Sequence, residues 1–244
     1  MKRSLFFSAS QFWGKSVTDA SSVLAMTLMA LGFAGGALHA AQDGETIVFD
    51  NSVPVKDAGG SQVNYRSPLG LEFGDEITLA GFARDVVQFK VDPALVGNSF
   101  PNANFVIRFY KNDGADADPG PKVILGPGSL LWESAAQPIS TGAGLVTLAV
   151  PGIKVPDSFT WTIQYANVNN TDAGGLVLGD PITIGKSFND YWEKKEDGSW
   201  STKIFPGGTF KANFVAQVTA VPEPATLALV AVGGGLLLAL RRRR

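Results

Sequence analysis

The chain has 244 residues with 20 basic and 22 acidic side chains, a single histidine and no cysteine, and its formal net charge is −2. The absence of cysteine excludes a disulfide framework, a thiol nucleophile and a thiolate metal site. No basic cluster precedes the last four residues, which argues against a nucleic acid as partner because phosphate binding depends on clustered Lys and Arg.

Residues 1–40 are predicted to form a secretory signal peptide. Basic residues in the first 15 positions precede an apolar stretch over 23–38, and small residues ending at Ala40 follow it, which is the order of a signal peptide and its cleavage site. The alternative is an uncleaved N-terminal helix, and in either case the next stretch is exported. His39 lies in this segment, so the mature domain lacks the histidine of a Ser-His-Asp triad or of an ordinary zinc or copper site.

Residues 41–219 are predicted to form one extracytoplasmic domain, which holds 13 of the 20 basic and 20 of the 22 acidic residues and is therefore acidic. Large apolar residues alternate with polar ones in short segments, the period of half-buried strands, and Gly- and Pro-rich breaks separate them. The segments are 46–49, 77–82, 87–91, 105–110, 130–133, 145–150, 159–165 and 210–218. Eight or more short strands predict an all-β, two-sheet sandwich of jelly-roll type.

Three aspartates, Asp113, Asp116 and Asp118, lie on a glycine-containing loop after the segment 105–110. Closely spaced carboxylates can supply the oxygen ligands that Ca²⁺ prefers, although the spacing is not that of an EF-hand loop. The alternative is a solvated turn, because Asp, Asn and Gly dominate turns for conformational reasons. Calcium is thus the only cofactor considered, and loop ordering is its expected role.

Three aromatic residues, Tyr191, Trp192 and Trp200, are interleaved with carboxamide and carboxylate side chains. Flat rings beside such groups suit a carbohydrate-binding surface, and the alternative is packing in the core or at a sheet edge, since tryptophans are usually largely buried. Carboxylate pairs at 75–76 and 193–197 leave a glycosidase open, because that chemistry needs two carboxyl groups across a cleft. No catalytic residue is predicted.

The tail 221–244 combines a proline-rich start, an apolar run and a basic end. Its proline and charged residues are Pro222, Glu223, Pro224, Arg241, Arg242, Arg243 and Arg244. The run 225–240 is predicted to be a transmembrane helix of about 24 Å, slightly shorter than the roughly 30 Å hydrocarbon core. Because a basic cluster stays on the cytoplasmic side, the preceding domain is expected outside the cytoplasm. A plain tail anchor is the alternative.

This order of P-E-P, apolar span and terminal arginines resembles the PEP-CTERM sorting signal of Gram-negative bacteria, which an exosortase-type membrane protease processes. The β-rich ectodomain is also similar to other domains that carry this tail, a likeness that implies no activity. The resemblance implies an exported protein that is membrane-anchored before processing and then lies at the cell surface or in an exopolysaccharide matrix.

A structural or adhesive role without enzymatic activity is expected, with carbohydrate binding as an additional option. The expected partners are the exosortase and an exopolysaccharide. The alternative function is a secreted carbohydrate-active enzyme that uses carboxylates.

Overall fold

The structure, a computed structural model, describes residues 44–67, 70–96, 102–117, 123–139, 144–167, 173–205 and 210–223. These residues belong to one compact unit, Gly44–Glu223. All regular elements in these ranges are strands, and none is a helix that could cross a membrane. The predicted signal peptide 1–40 and the predicted transmembrane segment 225–240 lie outside the described residues.

Short strands follow one another along the whole unit. Their bounds are β1 Thr46–Asp50, β2 Asn64–Ser67, β3 Glu72–Thr78, β4 Asp85–Val91, β5 Pro93–Val96, β6 Asn104–Lys111, β7 Leu130–Glu133, β8 Gln137–Pro138, β9 Val146–Lys154, β10 Ser158–Ala166, β11 Ala173–Val177, β12 Lys186–Ser187, β13 Tyr191–Lys194, β14 Trp200–Lys203 and β15 Ala216–Val221.

The strands form three antiparallel sheets. The first sheet has the order β1-β15-β4-β9, and the second has the order β14-β13-β3-β10-β6-β7 with β12 beside β3 and β8 beside β6. A small third sheet has the order β2-β11-β5. The prediction of an all-β fold is confirmed, and the arrangement of the two larger sheets is sandwich-like.

The core lies between the two larger sheets, because alternate residues of each strand point to the same side. Phe89 of β4 meets Phe109 of β6 and Trp161 of β10, with ring centroids 5.2 Å apart in both pairs. All three side chains are fully buried. Each such side chain contributes about 1.5–3 kcal/mol through burial, so these aromatic contacts hold the sheets together.

The strand pairs of the two sheets are nested in sequence. The outermost pair is β1 with β15, followed inward by β3 with β10, β4 with β9 and β6 with β7. The chain therefore behaves as one long hairpin whose two arms are distributed over both sheets.

Two further segments extend the second sheet. One is the hairpin of β13 and β14, which pairs with the edge of β3. The other is the long connection between β6 and β7, where backbone bonds such as Gly114 N to Gly126 O extend the hairpin beyond the sheet. A methyl group placed on Gly126 would lie 3.3 Å from the Trp192 ring, so the two segments meet.

Candidate functional site

The outer face of the second sheet carries a cluster of polar side chains. Phe73, Ile107 and Trp161 point into the core, so their neighbours along the strands point outward. The outward positions of the three strands hold Glu72, Arg108, Tyr110, Thr162 and Gln164. Since β10 pairs with both β3 and β6, residues far apart in sequence become neighbours on this face.

Glu72 is the centre of the cluster, although only 4% of its surface is exposed. Its Oε1 accepts hydrogen bonds from the Tyr110 hydroxyl at 2.9 Å and from the Thr162 hydroxyl at 2.7 Å. Its Oε2 lies 3.1 Å from Lys194 Nζ and 3.3 Å from Arg108 Nη1. A buried carboxylate needs such partners, because an unpaired one loses its hydration without compensation.

Arg108 connects the cluster to the neighbouring strands. Its Nη1 donates to Gln164 Oε1 at 2.9 Å, and its Nε donates to Glu133 of β7 at 2.5 Å. Burial alone lowers the pKa of Arg108, but the bond to Glu133 and the charge of Glu72 outweigh burial and raise it. For Tyr110, burial and then the negative charge of Glu72 raise the pKa of the phenol. The guanidinium therefore stays charged and the phenol neutral over the physiological range.

A pocket of about 650 Å³ opens above this cluster. Its floor contains Glu72, Arg108 and Tyr110, and the other wall is the β13–β14 hairpin with Lys195 and Glu196. The hairpin turns tightly because Lys195 N donates to Ser199 O and Gly198 takes a φ of 84°, a left-handed conformation that glycine adopts without strain. The turn therefore presents its charged side chains at the pocket rim.

Of the aromatic residues singled out from the sequence, Trp200 packs on Tyr110 of this pocket, whereas Tyr191 belongs to the core beside Phe214. Tyr191 and Trp192 are 6% and 3% exposed, so their rings have almost no surface for a ligand. Trp200 is half-buried; its ring packs on Tyr110 at 5.7 Å, with Lys194 Nζ 5.3 Å from its centroid. Their predicted role in ligand binding stays a prediction, and the packing alternative describes Tyr191 and Trp192.

The acidic loop uses two of its three aspartates for internal contacts. Asp113 accepts hydrogen bonds from the backbone N–H and the hydroxyl of Ser129 at 2.6 and 2.8 Å, which lowers the pKa of its carboxyl. Asp116 accepts the N–H of Ile124 at 3.0 Å. Asp118 lies outside the described residues. Within the described ranges no three acidic or histidine side chains converge as a metal site would require, and calcium binding stays a prediction.

Two buried carboxylates lie outside this cluster. Asp75 receives the Ser187 hydroxyl at 2.9 Å, but burial raises the pKa of Asp75 well above its ordinary value. Asp92, between β4 and β5, is 4% exposed, and among the described residues no donor reaches its Oδ1. Burial raises the pKa of Asp92 to about 6. Neither group lines the pocket.

Sequence reasoning missed the residues at the centre of the cluster. Glu72, Arg108 and Lys194 come from three strands, and their contacts depend on strand order, which the sequence does not reveal. One signal was available: Arg108 and Tyr110 occupy the polar positions of a strongly alternating strand, where polar residues usually meet water. Both are largely covered instead, Tyr110 by the ring of Trp200 and Arg108 by its partners Glu72 and Glu133.

The sorting-signal residues are only partly described. Pro222 and Glu223 directly follow β15 and are half-buried, and Glu223 Oε1 lies 2.6 Å from Lys154 Nζ. Pro224 and the arginines 241–244 lie outside the described residues. The compact unit is therefore an all-β, sandwich-like domain with a polar pocket on one outer face and a sorting tail attached to its last strand.

Comparison with known proteins identifies the tail. Residues 220–244 match the family model of the PEP-CTERM protein-sorting motif. A search of curated proteins found no match, and a search of solved structures found none either. The chain is thus a PEP-CTERM domain-containing protein. The motif marks an exported protein whose C-terminus is anchored in the membrane before processing. An exosortase, which is a membrane protease, processes the motif, and the protein is then located at the surface.

Proposed function

We propose that this protein is a structural or adhesive component of the surface or exopolysaccharide matrix of a Gram-negative cell and that it binds carbohydrate in the pocket over Glu72. The observation that carries the proposal is the pocket itself, which is open, about 650 Å³ in volume and lined by charged and polar side chains. Pockets of this size accommodate small ligands, and the sorting tail delivers the domain to a location where glycans are available.

The chemistry of the lining favours a sugar that carries an acidic group. Arg108, Lys194 and Lys195 face two carboxylates, those of Glu72 and Glu196. Among the lining side chains cations therefore exceed anions by one in a domain that is acidic as a whole, while Glu133 pairs with Arg108 from outside the lining. The ammonium groups of Lys194 and Lys195 can donate hydrogen bonds to sugar hydroxyls or to a sugar carboxylate. Such charge-assisted hydrogen bonds are stronger than those between neutral groups.

A jelly-roll arrangement is proposed for the two larger sheets. It is supported by the nested pairing, in which eight strands run from the outer pair β1–β15 to the inner pair β6–β7. Double-sheet jelly rolls of eight strands occur in lectin domains among others. That occurrence is an analogy at the level of the fold and carries no function by itself.

The alternative is a secreted carbohydrate-active enzyme that uses Glu72 and Glu196. It is favoured by the presence of two carboxylates in one pocket. A general acid must hold a proton that it can release to the leaving group. Glu72 instead accepts hydrogen bonds from two hydroxyls and faces two cations, so both of its oxygens are already engaged by the protein. Binding is therefore the preferred proposal.

A glycan array with the exported, processed protein tests the proposal, followed by titration calorimetry against the retained glycans. Lys195→Ala and Glu196→Ala change the exposed rim of the pocket without disturbing its buried floor, and Lys203→Ala on β14 removes an exposed lysine outside the pocket. We expect one of the rim variants to weaken binding roughly tenfold, because a hydrogen bond to a charged group contributes about 1.5–3 kcal/mol. The control should bind like the wild type.

Three results would contradict this proposal. An empty array favours a matrix protein without a ligand. Equal binding by the wild type, the rim variants and the control places the ligand elsewhere on the domain. Release of reducing sugar that Glu196→Gln abolishes, in a variant that unfolds at the wild-type temperature, establishes the enzymatic alternative.

A further inference from the structure

The last strand of the domain runs directly into the sorting motif. The match to the motif begins at residue 220, whereas β15 continues to Val221. Ala220 is paired with Thr46 of β1 and with Val86 of β4, and Val221 is paired with Asp85. The first two residues of the matched segment are thus part of an interior strand.

This pairing limits what a protease can reach. A peptide that is bound in extended form offers its backbone N–H and C=O groups to its partner. In β15 these groups are already used on both sides as far as Ala220, which is also fully buried. While the domain is folded, the accessible part of the motif therefore begins at Pro222.

The first charged residue of the accessible part is also engaged by the domain. Glu223 and Lys154 form an ion pair at 2.6 Å, and their side chains are 37% and 67% exposed. Lys154 is the last residue of β9 and is in register with Asp85, the residue that pairs with Val221. The lysine thus lies at the end of the sheet from which the motif emerges.

We infer that Lys154 is a positioning residue for processing, because it holds Glu223 on the folded domain and reduces the fraction of chains in which the motif is free for the exosortase. The protease and the domain compete for the same carboxylate. Exposed ion pairs are weak, so the free fraction changes by up to about fivefold and not by orders of magnitude. Lys154 therefore tunes the rate of processing and does not block it.

The test follows processing of the full chain in cells that contain the exosortase, by pulse-chase labelling and the mass difference between the unprocessed and processed forms. Lys154→Gln removes the charge and should raise the initial rate about two- to fivefold, whereas Lys154→Arg keeps the pair and should restore the wild-type rate. The matched control is Lys211→Gln, which breaks a similarly exposed ion pair with Asp180 at 3.1 Å and should leave the rate unchanged.

An insertion of Gly-Ser-Gly-Ser between Val221 and Pro222 provides a second, independent arm. It separates Glu223 from Lys154, so processing should accelerate and Lys154→Gln should add nothing further. Thermal unfolding of each variant checks that the domain is intact. The inference is wrong if Lys154→Gln is processed at or below the wild-type rate, or if Lys211→Gln accelerates processing equally. Alanine at Pro222, Glu223 and Pro224 should abolish processing, and normal processing of that variant refutes the exosortase step itself.

Discussion

Replacing Asp92 with asparagine should make the domain more stable at neutral pH. Asp92 is 4% exposed, and within the described residues its Oδ1 meets no donor. An ionised carboxylate in such a place loses hydration without compensation. Asparagine has nearly the same shape and carries no charge, so the substitution removes the unfavourable ionisation and keeps the packing.

The magnitude follows from the pKa of Asp92, which burial raises from 3.8 to about 6. In the unfolded chain the carboxyl releases its proton near pH 4, whereas in the folded domain it does so near pH 6. Ionisation therefore destabilises the fold by up to about 3 kcal/mol above pH 6; the effect shrinks as the pH falls from 6 to 4 and is absent below. Allowing about 1 kcal/mol for the buried amide, the gain from asparagine at pH 7.5 is about 2 kcal/mol.

Urea unfolding of the exported protein at pH 7.5 and pH 4.5 measures this effect. We expect the free energy of unfolding of Asp92→Asn to exceed that of the wild type by about 2 kcal/mol at pH 7.5 and to differ by less than about 1 kcal/mol at pH 4.5. The control Asp157→Asn changes an 83% exposed carboxylate paired with Arg84 and should shift stability by less than about 1 kcal/mol at both values. An equal or lower stability of Asp92→Asn at pH 7.5 would refute the reasoning.

Gly74→Ala should prevent stable folding, because a Cβ at this position would lie 1.9 Å from the carbonyl oxygen of Trp161. The control Gly144→Ala places its methyl group in open space and should fold normally. Near-ultraviolet circular dichroism compares the two variants, and a native spectrum for Gly74→Ala would contradict the close approach. Glu72→Gln removes the carboxylate from its two cationic partners and should lower the free energy of unfolding by about 3 kcal/mol; a loss below 1 kcal/mol in urea would show that the network is not structural. Asp113→Ala opens the loop that its carboxylate closes and should lower Tm by about 2–4 °C; disappearance of this difference in EDTA would assign the effect to bound calcium.

Most of the predicted segments coincide with strands, and those with strict alternation are the clearest cases. The segments 105–110 and 159–165 fall inside β6 and β10, because large residues recur at every second position and turns bound them. The expected strand 77–82 is different: β3 runs from Glu72 to Thr78, and Arg84 holds the following turn by donating to Gly81 O. The pattern of β3 was hidden because Asp75 occupies a core-side position.

The expected strand 210–218 was only partly right. Regular pairing begins at Ala216, although Ala212 and Phe214 are fully buried before it. These residues belong to the core without belonging to the sheet, and Leu178 makes only an isolated bridge to Phe214. Apolar alternation reports burial, and it cannot distinguish a strand from an irregular segment that packs in the same way.

The candidate site shows a different limit. Tyr191 and Trp192 were singled out as ligand-binding candidates because they alternate with polar residues, but the sequence did not reveal their burial. Tyr191 packs in the core beside Phe214, and Trp192 is covered near Gly126 of the β6–β7 connection. Glu72 was not predicted at all. Its partners come from β6, β10 and β13. The pairing of those strands brings together the donors and cations that compensate for the lost hydration of a buried carboxylate at this position.

The outer strand pair β1–β15 has a consequence for the order of events during export. The first strand cannot complete its pairing until the last one arrives, and the last one immediately precedes the tail. Contacts between such distant parts of a chain make folding slow. A chain that crosses the membrane from its N-terminus therefore remains incompletely folded until nearly all of it has crossed. Translocation then meets a chain without a completed core and needs no unfolding force.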